Sequence, residues 1–174
     1  MYGIRLVVSV IGIAALLAGC ANQRRETVLL KDNELALPAD YKSWPKFLSN
    51  IQRADNKQVR EIYINRPGTA TARGAAFPNG TVFVMEIHKA NPGADGRLEK
   101  GELAKIFVMG KNPGWGAAVS PAELRTGDWI YSAYKADGQT PSSDDIAQCR
   151  ACHLPLAKQD FVHRYDEYFD QRGK

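Results

Sequence analysis

Residues 149–153 read Cys-Arg-Ala-Cys-His, taking two of the chain's three cysteines and one of its three histidines. Two thiols three residues apart, followed at once by an imidazole, suit three chemistries: a redox disulfide, half of a zinc site, or a covalently attached haem. Each asks something different of the rest of the chain. A structural zinc site draws on four ligands, usually as two close pairs, and no second Cys or His pair occurs. A redox Cys-x-x-Cys belongs beside a βαβ unit, whereas the strands read below follow one another without long helical patterns between them. Haem c needs two thiols spaced for its two vinyl groups and an adjacent imidazole aimed at the iron. Cys149, Cys152 and His153 supply these. The sequence therefore predicts one covalent haem c, with thioether links at Cys149 and Cys152 and His153 as axial iron ligand. The sixth iron position then sets function: left open it admits small ligands, and closed by sulfur or a second imidazole it favours electron transfer.

The chain opens MYGIRLVVSVIGIAALLAGC, with Arg5 its only early charge. A basic start, an apolar run and a small-residue ending make a secretory signal peptide over residues 1–19. The run is short of the about 20 apolar residues that span a bilayer. Leu17-Ala18-Gly19-Cys20 resembles a bacterial lipobox, which makes Cys20 the lipid acceptor. By resemblance to lipoprotein sorting signals, Asn22 two residues on, rather than Asp, favours the periplasmic side of the outer membrane. Residues 20–37 then read as a polar tether and 38–174 as one haem domain. The formal net charge is +4 with no basic run of five or more, so nucleic acid is excluded as a partner.

Residues 58–65, 81–89, 102–110 and 128–136 alternate or run apolar in the manner of strands. In the second of these, Phe83, Met85 and Ile87 share one face, and Val82, Val84, Glu86 and His88 the other. Such a series gives an α+β fold, mainly antiparallel sheet, with short helices carrying the attachment motif at the C-terminal end. Residues 142–154 predict a short helix, with Ser142 and Asp145 at capping-box spacing. Residues 159–171 predict a second, with Phe161, Val162, Tyr165, Tyr168 and Phe169 along one face.

"LPADYKSW", "REIYIN", "FPNGTVFVMEI", "FVMG", "GDWIYSAY", "CRACH" and "DFVHRYDEYF" together, and in this order, resemble the cytochrome P-460 and cytochrome c′-beta family over most of residues 37–170. The resemblance implies a mainly antiparallel β fold, usually a homodimer, with one haem c. It also implies oxidation of hydroxylamine or binding of nitric oxide and related small ligands. In cytochrome P-460 proper the strand matching "GTVFVME" carries a lysine cross-linked to the haem; here that position is Met85, and a thioether cannot form the amine link. The resemblance thus points to the members without the cross-link, which bind a small gaseous or nitrogen-oxide ligand.

Met85 has three readings: core packing, a wall beside the haem, or an axial thioether that makes an electron carrier of the chain, with a redox protein as partner. Met109 is a second axial candidate. Phe83 stands between pocket wall and core, and Ile87 reads as core. Asp144 can relay protons to an iron-bound ligand or can serve the helix N-terminus. His88 and His163 are structural histidines or second haem ligands. Trp44, Trp115 and Trp129 are core or dimer-contact residues.

Overall fold

A computed structural model describes residues 28–172. The signal peptide expected over residues 1–19, Cys20 and the segment up to residue 27 lie outside the described residues. The five strands are β1 (Lys46–Arg53), β2 (Gln58–Ile64), β3 (Val82–Pro92), β4 (Leu98–Lys111) and β5 (Trp129–Lys135). Every neighbour pair is antiparallel and the spatial order is the chain order, so the sheet is a simple meander. Three short helices accompany it: α1 (Arg66–Thr69), α2 (Ile146–His153) and α3 (Tyr165–Arg172). The α+β, mainly antiparallel expectation holds. Among the described residues no helix is long and apolar enough to cross a membrane.

Both faces of the sheet are covered. On the first, Ile64, Phe83, Met109, Tyr131 and Ala133 pack against Ile146, Val162, Tyr165 and Tyr168 from the C-terminal helices and turns. On the second, Tyr63, Val84, Ile106, Val108 and Ile130 pack against Leu35, Tyr41 and Trp115. Double coverage explains why adjacent residues such as Phe83 and Val84 are both buried and why β3 reads as an apolar run rather than a clean alternation. The first face centres on aromatic rings: Phe47 lies 4.9 Å from Phe83 and 4.3 Å from Tyr168, and Phe77 lies 5.1 Å from Phe83.

The second face holds a buried polar cluster. Glu86 accepts from Tyr41 Oη at 2.7 Å and from Tyr63 Oη at 3.3 Å, and His88 Nε2 lies 3.1 Å from the same carboxylate. Burial works to raise the Glu86 carboxyl, but these hydrogen bonds prevail and hold it below the usual range. His88 Nδ1 meets the Gly101 carbonyl at 3.1 Å. Both ring nitrogens are therefore engaged, on the face away from Met85, and His88 is structural rather than an iron ligand. All three tryptophans pack within the fold: Trp129 in the first core, Trp115 in the second, and Trp44 partly buried against the second.

Two helix expectations change. α2 starts at Ile146 with Asp145 as its N-cap, the carboxylate accepting from Ala147 N at 2.9 Å, so Ser142 is outside the helix. The terminal helix starts only at Tyr165, because Asp160, Phe161 and Arg164 take positive φ of 51°, 61° and 57°. The predicted apolar face still reaches the core, but from a turn followed by a helix.

Residues 28–37 are packed onto the domain rather than free of it. Asn33 N donates to Tyr131 O at 2.8 Å, Trp115 Nε1 donates to Val28 O at 2.8 Å, and Leu35 is buried.

Candidate functional site

α2 presents the two thiols and the imidazole from a single helix of eight residues laid against β5. Its buried residues are Ile146 and Arg150. Cys149 is half-buried against the first-face core, Cys152 is exposed, and both are free thiols. Burial, reinforced by Asp144 and Cys152, pushes the Cys149 thiol up to about 11. A thiol held protonated at neutral pH is the opposite of the low-pKa thiolate that drives disulfide exchange. The motif follows an antiparallel meander, not a βαβ unit, so the redox reading loses both of its supports.

His153 Nδ1 lies 2.6 Å from the Phe161 carbonyl oxygen. A carbonyl can only accept, so Nδ1 carries the proton and Nε2 keeps its lone pair. Burial pushes the imidazole down to about 4, against the pull of the Phe161 carbonyl, and nearby His163 adds to the depression. The ring is thus neutral at pH 7, in the tautomer that binds a metal through Nε2. The acceptor is fixed in turn. Positive φ at Asp160 and Phe161 turns the chain there. The Asp160 carboxylate pins the turn by accepting from Phe77 N at 2.8 Å and Lys111 Nζ at 2.8 Å.

Tyr131 stacks at a tilt 5.2 Å from the His153 ring, and His163 meets it edge-on at 4.7 Å. Two imidazoles so close leave no space for a metal ion between them, so His163 is not a second ligand facing His153.

The sheet beside α2 carries a cross-strand row, Ile62, Met85, Phe107 and Ala133. Its first three members are only half-buried, unlike the Ile64, Phe83, Met109 and Tyr131 row next to it. Met85 therefore sits on an incompletely covered apolar strip. Phe83 and Met109 lie buried inside the aromatic core. Ile87 is buried, as expected. Arg60 occupies the same face one row on, and its Nε is buried without a hydrogen-bond partner. Burial holds its guanidinium below the ordinary arginine range. An orphaned cationic donor beside an open apolar strip is what a flat, apolar group with acidic substituents would satisfy. Sequence reasoning missed Arg60; its only signal was a charge on the same strand face as Ile62 and Ile64.

Asp144 does not cap α2. Its carboxylate takes Lys105 Nζ at 2.6 and 2.9 Å and the Ser142 hydroxyl. Burial works to raise its pKa, and the Lys105 and Ser142 bonds overcome this to hold the group below the usual carboxylate range.

Two free thiols, an imidazole of fixed tautomer, an open apolar strip and an arginine whose Nη2 donates to Gln58 Oε1 at 3.1 Å but whose buried Nε has no partner form a donor set that fits haem c. Comparison with curated proteins gives no match. The family model described as Cytochrome P460 matches residues 38–164. That span contains the strands, the open strip and the Cys-Arg-Ala-Cys-His motif, and the chain belongs to the cytochrome P-460 family as a haem-binding c-type cytochrome.

Proposed function

We propose that the chain is an exported, lipid-anchored monohaem cytochrome of the c′-beta type, whose iron takes nitric oxide or another small ligand. The observation that carries this reading is the Nδ1–Phe161 contact at 2.6 Å, which leaves His153 Nε2 as a ready iron donor. Cys149 and Cys152 are the thioether links to a single haem. Haem iron supplies ligand binding and electron exchange, and the protein sets access, polarity and potential. Met85, where cytochrome P-460 proper has its cross-linking lysine, makes the strip an apolar wall rather than a covalent tether. This disfavours hydroxylamine oxidation of the P-460 type; if turnover occurs, Asp144 is the proton relay. Cys20 carries the lipid on the periplasmic side of the outer membrane, and the chain pairs as a homodimer.

Half-buried Met85 keeps a second reading in view: an electron-transfer protein with His153 and Met85 on iron, serving a redox protein partner. Met85 is on β3, two strands from β5, where the His153 ring packs on Tyr131. That lateral offset of about 10 Å favours the wall over the axial role.

The deciding experiment is the absorption spectrum of the purified haem protein, ferric and ferrous, before and after nitric oxide. High-spin bands that shift on addition support the ligand-binding reading. A low-spin spectrum with a sulfur-to-iron band near the red end, unmoved by nitric oxide, makes it an electron carrier. Absence of covalent haem overturns both. For the anchor, Cys20→Ala is expected to release the protein from membranes.

A further inference from the structure

We propose that Asp32 is a positioning residue for the haem-attachment helix, acting through Arg150 to hold the His153 imidazole in its orientation. The inference rests on the reading of His153 as the iron ligand. Its structural half stands on contacts alone.

α2 is too short to be stable by itself, and of its eight residues only Ile146 and Arg150 are buried. One of these two buried side chains is a guanidinium, 1 % exposed. Arg150 Nε donates to Asp32 Oδ2 at 2.7 Å and Nη2 to Asp32 Oδ1 at 2.7 Å, a bidentate pair. Nη2 also reaches Trp129 O at 3.2 Å, and Nη1 reaches Thr126 Oγ1 at 3.1 Å and Leu124 O at 3.4 Å. All five N–H groups find acceptors, and Asp32 is the only charged one.

The clamp fixes the helix's rotation as well as its place. Arg150 adjoins Cys149 and lies three residues before His153, about 60° round the helix from it. Turning Arg150 out of its socket turns His153 with it. The same carboxylate accepts from Tyr131 N at 3.0 Å. Tyr131 in turn packs its ring on His153 and donates its hydroxyl to Thr126, which also receives Arg150. One carboxylate thus ties the helix, the strand beneath it and the ring against the imidazole.

Asp32 lies ahead of the family match, which begins at residue 38. The clamp's acidic half is therefore carried by the N-terminal strap and not by the matched domain.

The test uses the haem-loaded protein as wild type, Asp32→Asn and Arg150→Lys, with Glu102→Gln as an exposed-pair control. Two quantities are read: amide hydrogen exchange over residues 146–153, and the iron–histidine stretching band of the ferrous protein by resonance Raman. The expected result is exchange at least tenfold faster in both clamp variants, with a displaced, broadened iron–histidine band, and neither change in the control. The double variant should do no more than either single one. Asp32→Asn with wild-type exchange and a wild-type band overturns the proposal. If wild type shows no iron–histidine band, its ferrous iron is not a five-coordinate histidine complex and the open-iron reading on which the inference rests fails; unchanged exchange would remove the clamp separately. Should Asp32→Asn not fold, Asp32→Glu keeps the charge and displaces it by one methylene. A threefold or greater rise in exchange is then expected, and none overturns the proposal.

Discussion

Replacing Glu61 by glutamine tests how the sheet supports its buried charge. Glu61 is 6 % exposed and stands opposite a second buried carboxylate, Glu86, in the β2–β3 ladder. Like charges facing each other across strands destabilise a sheet, so each needs its own cations and donors. Glu61 accepts from Ser49 Oγ at 2.8 Å and pairs with Lys46 at 3.0 Å and Lys100 at 3.3 Å. Burial pushes its carboxyl up, but the Ser49 and Lys46 hydrogen bonds and both ammonium charges outweigh this and bring it to about 2. Against an ordinary value of 4.5 in the unfolded chain, the lowering corresponds to on the order of 3 kcal/mol at neutral pH. The lysine side chains are 36 % and 46 % exposed, and solvent screening reduces the figure to about 1–2 kcal/mol. Because the folded pKa is the lower one, this stability is complete above pH 4.5 and is lost as pH falls towards 2. Urea unfolding followed by far-ultraviolet circular dichroism should therefore find Glu61→Gln less stable than wild type by about 1–2 kcal/mol at pH 7, with the gap closing near pH 2.5. A gap that stays constant across that window, or a glutamine variant as stable as wild type at pH 7, refutes the electrostatic account.

Other predictions bear on the site. The double substitution Cys149→Ser with Cys152→Ser should abolish haem staining on a denaturing gel, and retained staining would rule out the thioether links. Met85→Leu should leave the ferric and ferrous spectra and nitric oxide binding unchanged; loss of a sulfur-to-iron band would make Met85 a ligand. Phe83→Ala should cost about 3–5 kcal/mol in urea by opening a cavity in the aromatic core. The folded fraction should keep its nitric oxide spectrum, as expected of a core residue, and a changed spectrum would make Phe83 pocket wall.

Side-chain chemistry in the sequence made four strands legible and with them the antiparallel plan. β3 and β4 run past the predicted ends because the ladder continues through Pro92 and Leu98 into a loop closed by Gly93 N on Arg97 O. β1 escaped because its register shifts twice and Asn50 takes φ 51°, which breaks the alternation on which a strand is recognised. Phe47 and Leu48, neighbours in sequence, are both buried for that reason. The residues proposed to hold the haem stood out in the sequence because thiol and imidazole spacing is itself the chemistry. What orients them was not. The Phe161 carbonyl is a backbone atom placed by a positive-φ turn, and no side-chain pattern announces it. Arg150 sat in plain view within the motif, but its partner is 118 residues away in a segment that reads as polar tether.

If Cys20 carries the lipid proposed for it, the strap that holds Arg150 also limits how far the helix bearing His153 can stray from a membrane. The described fold begins at Val28, eight residues after Cys20. Fully extended, eight residues reach about 29 Å. With lipid on Cys20, the domain is moored on a line no longer than about the span of one small domain, and that line runs on through Asp32 to the helix bearing His153. Encounters with a membrane-borne electron donor then become a search over a surface rather than through a volume. The short line raises the local concentration of such a donor, while a partner beyond its reach gains nothing from the anchor.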